Sequence, residues 1–94
     1  MQFTWHERKN SINQQKHGIS FETAIRAFDD PYQVTYPERV VDGEQRWHTI
    51  GVVNGIHLLL VAHAVSVKGD DEVIRVISAR KATRWERRIY AEDI

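Results

Sequence analysis

Arg46-Trp47-His48-Thr49-Ile50-Gly51-Val52-Val53-Asn54-Gly55-Ile56-His57-Leu58-Leu59-Leu60-Val61-Ala62-His63-Ala64-Val65 reads as two strands around a tight turn. Asn54-Gly55 supplies two residues that tolerate positive φ, as a two-residue hairpin turn of matching twist requires. The expected strands are Arg46 to Val53 and Ile56 to Val65. The second is apolar on both faces, which predicts a central strand covered on both sides.

Outward from this hairpin, Asp42-Gly43 is a second turn, preceded by Val34 to Val41. Pro37 breaks that run and demotes it to an edge strand. On the other side Lys68-Gly69-Asp70-Asp71 turns the chain into a last strand, Glu72 to Ser78. Thr83-Arg84-Trp85-Glu86 is a capping box, so a final helix is expected from near Arg84 to about Glu92. Ala82, Trp85 and Ile89 are expected to face the sheet, with Arg84, Arg87 and Arg88 as a basic stripe elsewhere.

Before the sheet, Phe3 and Trp5 alternate with polar residues and suggest a short first strand. Glu7 to Lys16 is expected as a polar surface helix ending at Lys16-His17-Gly18, where glycine supplies the left-handed cap. Ser20 caps a second helix whose Phe21, Ala24, Ile25 and Phe28 follow helical spacing until Asp29-Asp30-Pro31 stops it. The predicted fold class is α+β, in the order β-α-α-β-β-β-α, with an antiparallel sheet packed against helices.

Ninety-four residues are expected to form a single domain, 1–94. With no cysteine, disulfides and cysteine-ligated zinc are excluded. Met1 to Arg8 lacks the basic and apolar regions of a signal peptide, and no apolar run spans a bilayer. A cytoplasmic protein with no membrane partner is expected. The formal net charge is zero, which by itself argues against a nucleic-acid partner. The distribution argues otherwise: from Arg75 to Arg88 the six bases Arg75, Arg80, Lys81, Arg84, Arg87 and Arg88 stand against Glu86 alone. From Asp29 to Glu44 the five acids Asp29, Asp30, Glu38, Asp42 and Glu44 stand against Arg39 alone.

His57 and His63 share a strand face but stand about 20 Å apart along it, so they make no metal pair. No metal and no cofactor are expected. Cleaving RNA without a metal needs a group to take the 2′-hydroxyl proton, cations for the phosphorane, and an acid for the leaving 5′-oxygen. Arg75, Arg80 and Lys81, at a strand end and the turn after it, suit the second task.

The run Phe3-x-Trp5-x-x-x-Lys9, Asn13 and Lys16-His17-Gly18-Ile19-x-Phe21-x-x-Ala24 resembles the opening of BrnT-type toxins. Asp30-Pro31, Arg46-Trp47-x-x-Ile50-Gly51 and Ile74-Arg75-Val76-Ile77-Ser78-Ala79-Arg80-Lys81-Ala82 follow in family order, and Glu86, Arg87 and Tyr90 complete the pattern. The resemblance implies a RelE-like fold, metal-independent RNA cleavage, and neutralisation by a cognate antitoxin of the BrnA kind. Operator DNA would be bound only through that antitoxin.

On this reading His17, Arg75, Arg80 and Lys81 are the catalytic candidates, and Lys9, Lys16, Arg84, Arg87 and Tyr90 the RNA-binding ones. Each has a plainer alternative. His17 is also a helix-end cation before Gly18, and Arg75 also suits an ion pair on its strand face. Arg80 and Lys81 would equally hold antitoxin carboxylates. Tyr90 packs as readily beside Trp85 or Ile89 as on a base, and Lys9 and Lys16 also read as plain surface. Trp47 and Trp85 read as core or interface anchors, and Glu86 as a cap. The family pattern has Asp where this chain has His6, and Thr-x-Arg where it has Ala64-Val65-Ser66. The missing arginine frames a second reading, a catalytically weakened homologue that binds antitoxin as a co-repressor partner.

Overall fold

The computed structural model describes residues 1–92. Its order is β1 (Gln2–Thr4), α1 (Glu7–His17), α2 (Phe21–Ala24) running on into a 3-10 turn (Ile25–Asp29), β2 (Val34–Val41), β3 (Glu44–Val53), β4 (His57–Lys68), β5 (Asp71–Lys81) and α3 (Arg84–Glu92). Four strands lie between the helices, one more than the order β-α-α-β-β-β-α provides. The strands form one sheet in the order β1-β5-β4-β3-β2. β2 to β5 are an antiparallel meander, and β1 adds in parallel to β5, so the sheet is mixed.

Most local signals act as expected. Asp42 and Asn54 take positive φ in two of the three hairpin turns, each followed by a positive-φ glycine. Val53 opposes His57, however, so the second turn holds Asn54 to Ile56 rather than the expected two residues. Gly18 closes α1 in the left-handed conformation. The Ser20 side chain accepts the Thr23 N–H at 3.1 Å. The capping box forms in both directions: Thr83 N–H donates to Glu86 Oε1 at 2.8 Å, and Glu86 N–H donates to Thr83 Oγ1 at 3.2 Å.

Alternation divides the sheet into two covered faces. On one, Val53, Leu59, Val61, Val76 and Ala79 pack under Ile19, Phe21, Ala24 and Ala27 of the α1–α2 layer. On the other, Ile50, Leu58 and Leu60 pack with Ala82, Ile89 and Tyr90 of α3. β4 is therefore central and doubly covered over its first half. Trp85 does not face the sheet: it is 65% exposed. Glu86 takes the inward position beside Ile89 and Tyr90, because its carboxylate accepts three hydrogen bonds there, two from Arg80 and one from Thr83 N–H, to offset burial.

Two buried asparagines join α1 to the rest. Asn13 donates to the carbonyl of Ala79 at 2.9 Å and accepts its N–H at 3.1 Å. It thereby supplies the hydrogen bonds of a neighbouring strand along the β5 edge beyond the reach of β1. Asn10 accepts the Phe21 N–H at 2.8 Å and donates to Glu22 at 2.7 Å. This explains why α1 stays docked with Ile12 half exposed and no apolar stripe.

Candidate active site on the open sheet face

α3 covers only part of its face, and the remainder carries polar side chains in ordered rows. Residues paired on adjacent strands point the same way, so Tyr36, His48, Ala62 and Ser78 form one row across β2, β3, β4 and β5. The next row is Val34, Ile50, Leu60 and Arg80. Arg80 thus reaches this face beside α3, where Glu86 grips its guanidinium in a fork at 2.7 and 2.8 Å. That pairing holds Arg80 charged and Glu86 ionised, the latter below the usual carboxylate range.

Across the sheet, the Tyr36 and His48 rings meet edge to face at 5.5 Å, with the phenol oxygen 3.4 Å from Nδ1. Burial pushes the His48 imidazole below its ordinary value despite the nearby carboxylates of Glu38 and Glu86. Burial likewise raises the Tyr36 phenol, so it keeps its proton. The face therefore presents a fixed cation, a neutral imidazole and a protonated phenol. Farther along it, Arg75 donates to both oxygens of Glu44 at 2.7 and 3.0 Å, and Arg46 stands 3.3 Å from the same carboxylate.

Two bulges assemble this set. At the Asp42-Gly43 turn Val41 opposes Glu44, and that register would set Tyr36 against Thr49. A shift between Pro37 and Val40 sets it against His48 instead. On β5, His63 opposes Val76 but Ala62 opposes Ser78, leaving Ile77 as the extra residue. Were the His63–Val76 register to run on without a bulge, Arg80 would oppose Leu59 and point under α1. The same bulge puts Arg75 and Arg80 on one face although five residues separate them.

The sequence candidates therefore split. Arg75 and Arg80 share the open face, Arg75 as a half-exposed ion pair rather than a free cation. Lys81, next along β5, points to the opposite face, because neighbouring strand residues alternate. His17 joins it there, lining a cavity of about 580 Å³ with His57. The four do not converge on one constellation. Lys9 and Lys16 line a smaller hollow beside that cavity, with His17 and Ile77. Arg84 lies on exposed α3 surface against Trp85 and Arg88, and Arg87 is exposed on the same helix.

Tyr90 is turned inward. Its hydroxyl donates to Asp30 at 2.6 Å, and burial with that bond pushes its phenol up to about 12. Burial alone would raise the Asp30 carboxyl, but bonds from Tyr90, Val52 and Tyr32 overcome it and leave the group lowered. This pair latches α3 to the layer beneath and leaves no free hydroxyl for RNA. The residues missed in the sequence are His48, Tyr36 and Glu86 as the clamp on Arg80. Alternation along β3 places His48 on the Ile50 face, but only the bulge reveals its partner.

Among the described residues, no group of three His, Asp or Glu side chains is placed to hold a metal ion, and no helix is long and apolar enough to cross a membrane. No curated protein matches the chain. The crystal structure of the Brucella abortus ribonuclease toxin, BrnT, is similar, with a TM-score of 0.67 and 27% identity, over 89% of this chain and 99% of that one. The family model for the ribonuclease toxin BrnT of type II toxin–antitoxin systems matches residues 5–86. A match over that much of the chain, with the fold to go with it, places this protein in the BrnT family of ribonuclease toxins.

Proposed function

We propose that the chain is a metal-independent endoribonuclease that arrests growth from the cytoplasm. A cognate BrnA-like antitoxin neutralises it, and operator DNA is reached only through that antitoxin. The observation that carries this reading is the clamped Arg80 on the same sheet face as the neutral His48 and the protonated Tyr36. His48 accepts the 2′-hydroxyl proton as that oxygen attacks phosphorus. Arg80, oriented by Glu86, holds the developing charge of the phosphorane. Tyr36 supplies the proton that the leaving 5′-oxygen needs. Arg75 and Arg46 extend the positive face, with Arg84 and Arg87 nearby in sequence on α3.

The test is purified protein with total RNA in excess EDTA, with and without the partner encoded beside it. Cleavage should persist in EDTA and stop with the partner. Arg80→Ala should lower the rate by roughly 10²–10³-fold with the fold intact, the usual cost of one oxyanion donor. Full cleavage by that folded variant would remove the site.

One observation favours the second reading, a weakened toxin serving as antitoxin-binding co-repressor. Ser66 opposes Val73 on the same face as Arg75, so an arginine there would add a cation where Glu44 already occupies two. If the protein binds its partner but leaves RNA intact, Ser66→Arg should restore cleavage.

A further inference from the structure

A cavity among the described residues lies on the other side of the sheet from Arg80. Its floor is apolar and buried, formed by Ile19, Val53 and Leu59. Its rim carries Lys81, His17 and His57, with Asn54, Gln14 and Ser20 as further polar groups. None of its lining residues is acidic, although the chain as a whole is neutral. At about 580 Å³ it has the size of a small-ligand site. An apolar floor under a rim that carries Lys81 and two imidazoles suits a base with a phosphate attached.

Its position gives it a role. Arg80 and Lys81 are consecutive and point to opposite faces, so a strand of RNA held by Arg80 has only to cross the end of β5 to meet Lys81. Beyond the cavity the positive surface continues: His17 also lines the neighbouring hollow with Lys9 and Lys16, against Ile77 and Ser78. The only acid in α1 is Glu7, and it is bonded to Trp5 and Asn10. A polyanion leaving the cavity therefore follows cations and meets no free carboxylate on that helix.

We propose that this cavity binds one nucleotide of the RNA substrate beyond the two that flank the scissile bond. Its base lies on the Ile19–Val53–Leu59 floor and its phosphate on Lys81 and the two imidazoles. The RNA then wraps the end of β5, reacting on one face and anchored on the other. This rests on the ribonuclease reading, and the experiment separates the two.

His57 is exposed at the start of β4 and outside the reacting group, so it is the residue to vary. Binding of a 2′-O-methyl oligonucleotide, which cannot be cleaved, is measured for the parent, His57→Glu and His57→Lys. Cleavage of a dinucleotide, too short to span both faces, and of a longer RNA is measured alongside. The acidic variant should bind the oligonucleotide roughly tenfold more weakly, and the lysine variant as well as the parent or better. KM for the longer RNA should rise in His57→Glu while kcat, and dinucleotide cleavage, stay put. Equal oligonucleotide binding by all three proteins overturns the proposal, as does a parent that does not bind. A parent that binds but cleaves neither substrate, with binding lost in His57→Glu, sinks the ribonuclease reading and supports the anchoring site.

Discussion

His48 and His63 sit on adjacent strands and burial lowers both, yet only His48 has access to solvent. At His48 the lowered value means that the neutral, proton-accepting form persists below the ordinary imidazole range. Glu38 and Glu86 oppose that shift, while Arg80 and Arg39 reinforce it. The acid limb of the cleavage profile should therefore lie below pH 6.5 and move up when Arg80 is replaced by glutamine. A limb at or above 6.5 in the parent would remove His48 as the base. His63 is 1% exposed, with Nε2 2.8 Å from Thr49 Oγ1, and burial takes it to about 4. Above pH 6.5 it is neutral whether folded or unfolded; below that the unfolded chain takes up the proton first. Stability should fall by about 3 kcal/mol between pH 6.5 and 4 from this group alone. Thermal melts should show that slope, flattened in His63→Gln. Neither role is legible in the sequence, where both histidines read alike: exposure and partners are set by strands far away in the chain.

At the level of elements, turns and caps were legible because their chemistry is local. Gly18, Ser20 and the Thr83–Glu86 box each form as their residue types require, and Asn54-Gly55 turns the chain with Ile56 as a third turn residue. Bulges were not, because no residue type demands one at Ile77. The bulge that absorbs this extra residue decides whether Arg80 faces the reacting side or the underside of α1. Deleting Ile77 would remove the bulge yet leave Arg80 opposite Leu60, so cleavage should survive wherever β5 still pairs, which circular dichroism and the activity assay together would read. The inward face of α3 was misread for a related reason: Trp85 is apolar, but Glu86 has partners waiting for it. Gly51 shows the opposite constraint, tight contact without unusual backbone. A Cβ there would run into the carbonyl oxygen of Ala27. Gly51→Ala should cost roughly 1–3 kcal/mol and lower the melting temperature, since the 3-10 turn has to move away.

For the whole molecule, a net charge of zero conceals a division by position. Arg84, Arg87 and Arg88 are exposed on α3, Lys9, Lys16 and Lys81 lie on the α1 side, and Glu44 and Glu86 are already held by arginines. RNA affinity should accordingly fall linearly on a log–log plot against salt, as expected of a strongly basic protein. A flat plot would mean that phosphate contacts do not carry binding. The charge blocks themselves were plain in the sequence; which face each belongs to was not.

Asn13 has a consequence for how these molecules meet one another. An uncovered strand edge is a template on which a second chain can pair, and such edges seed aggregation. One carboxamide closes the β5 edge at Ala79 in the place of a sixth strand. Asn13→Ala would reopen it, so the variant's failure should show first as concentration-dependent association between copies. The asparagine that docks a helix thus also keeps the toxin from becoming its own partner.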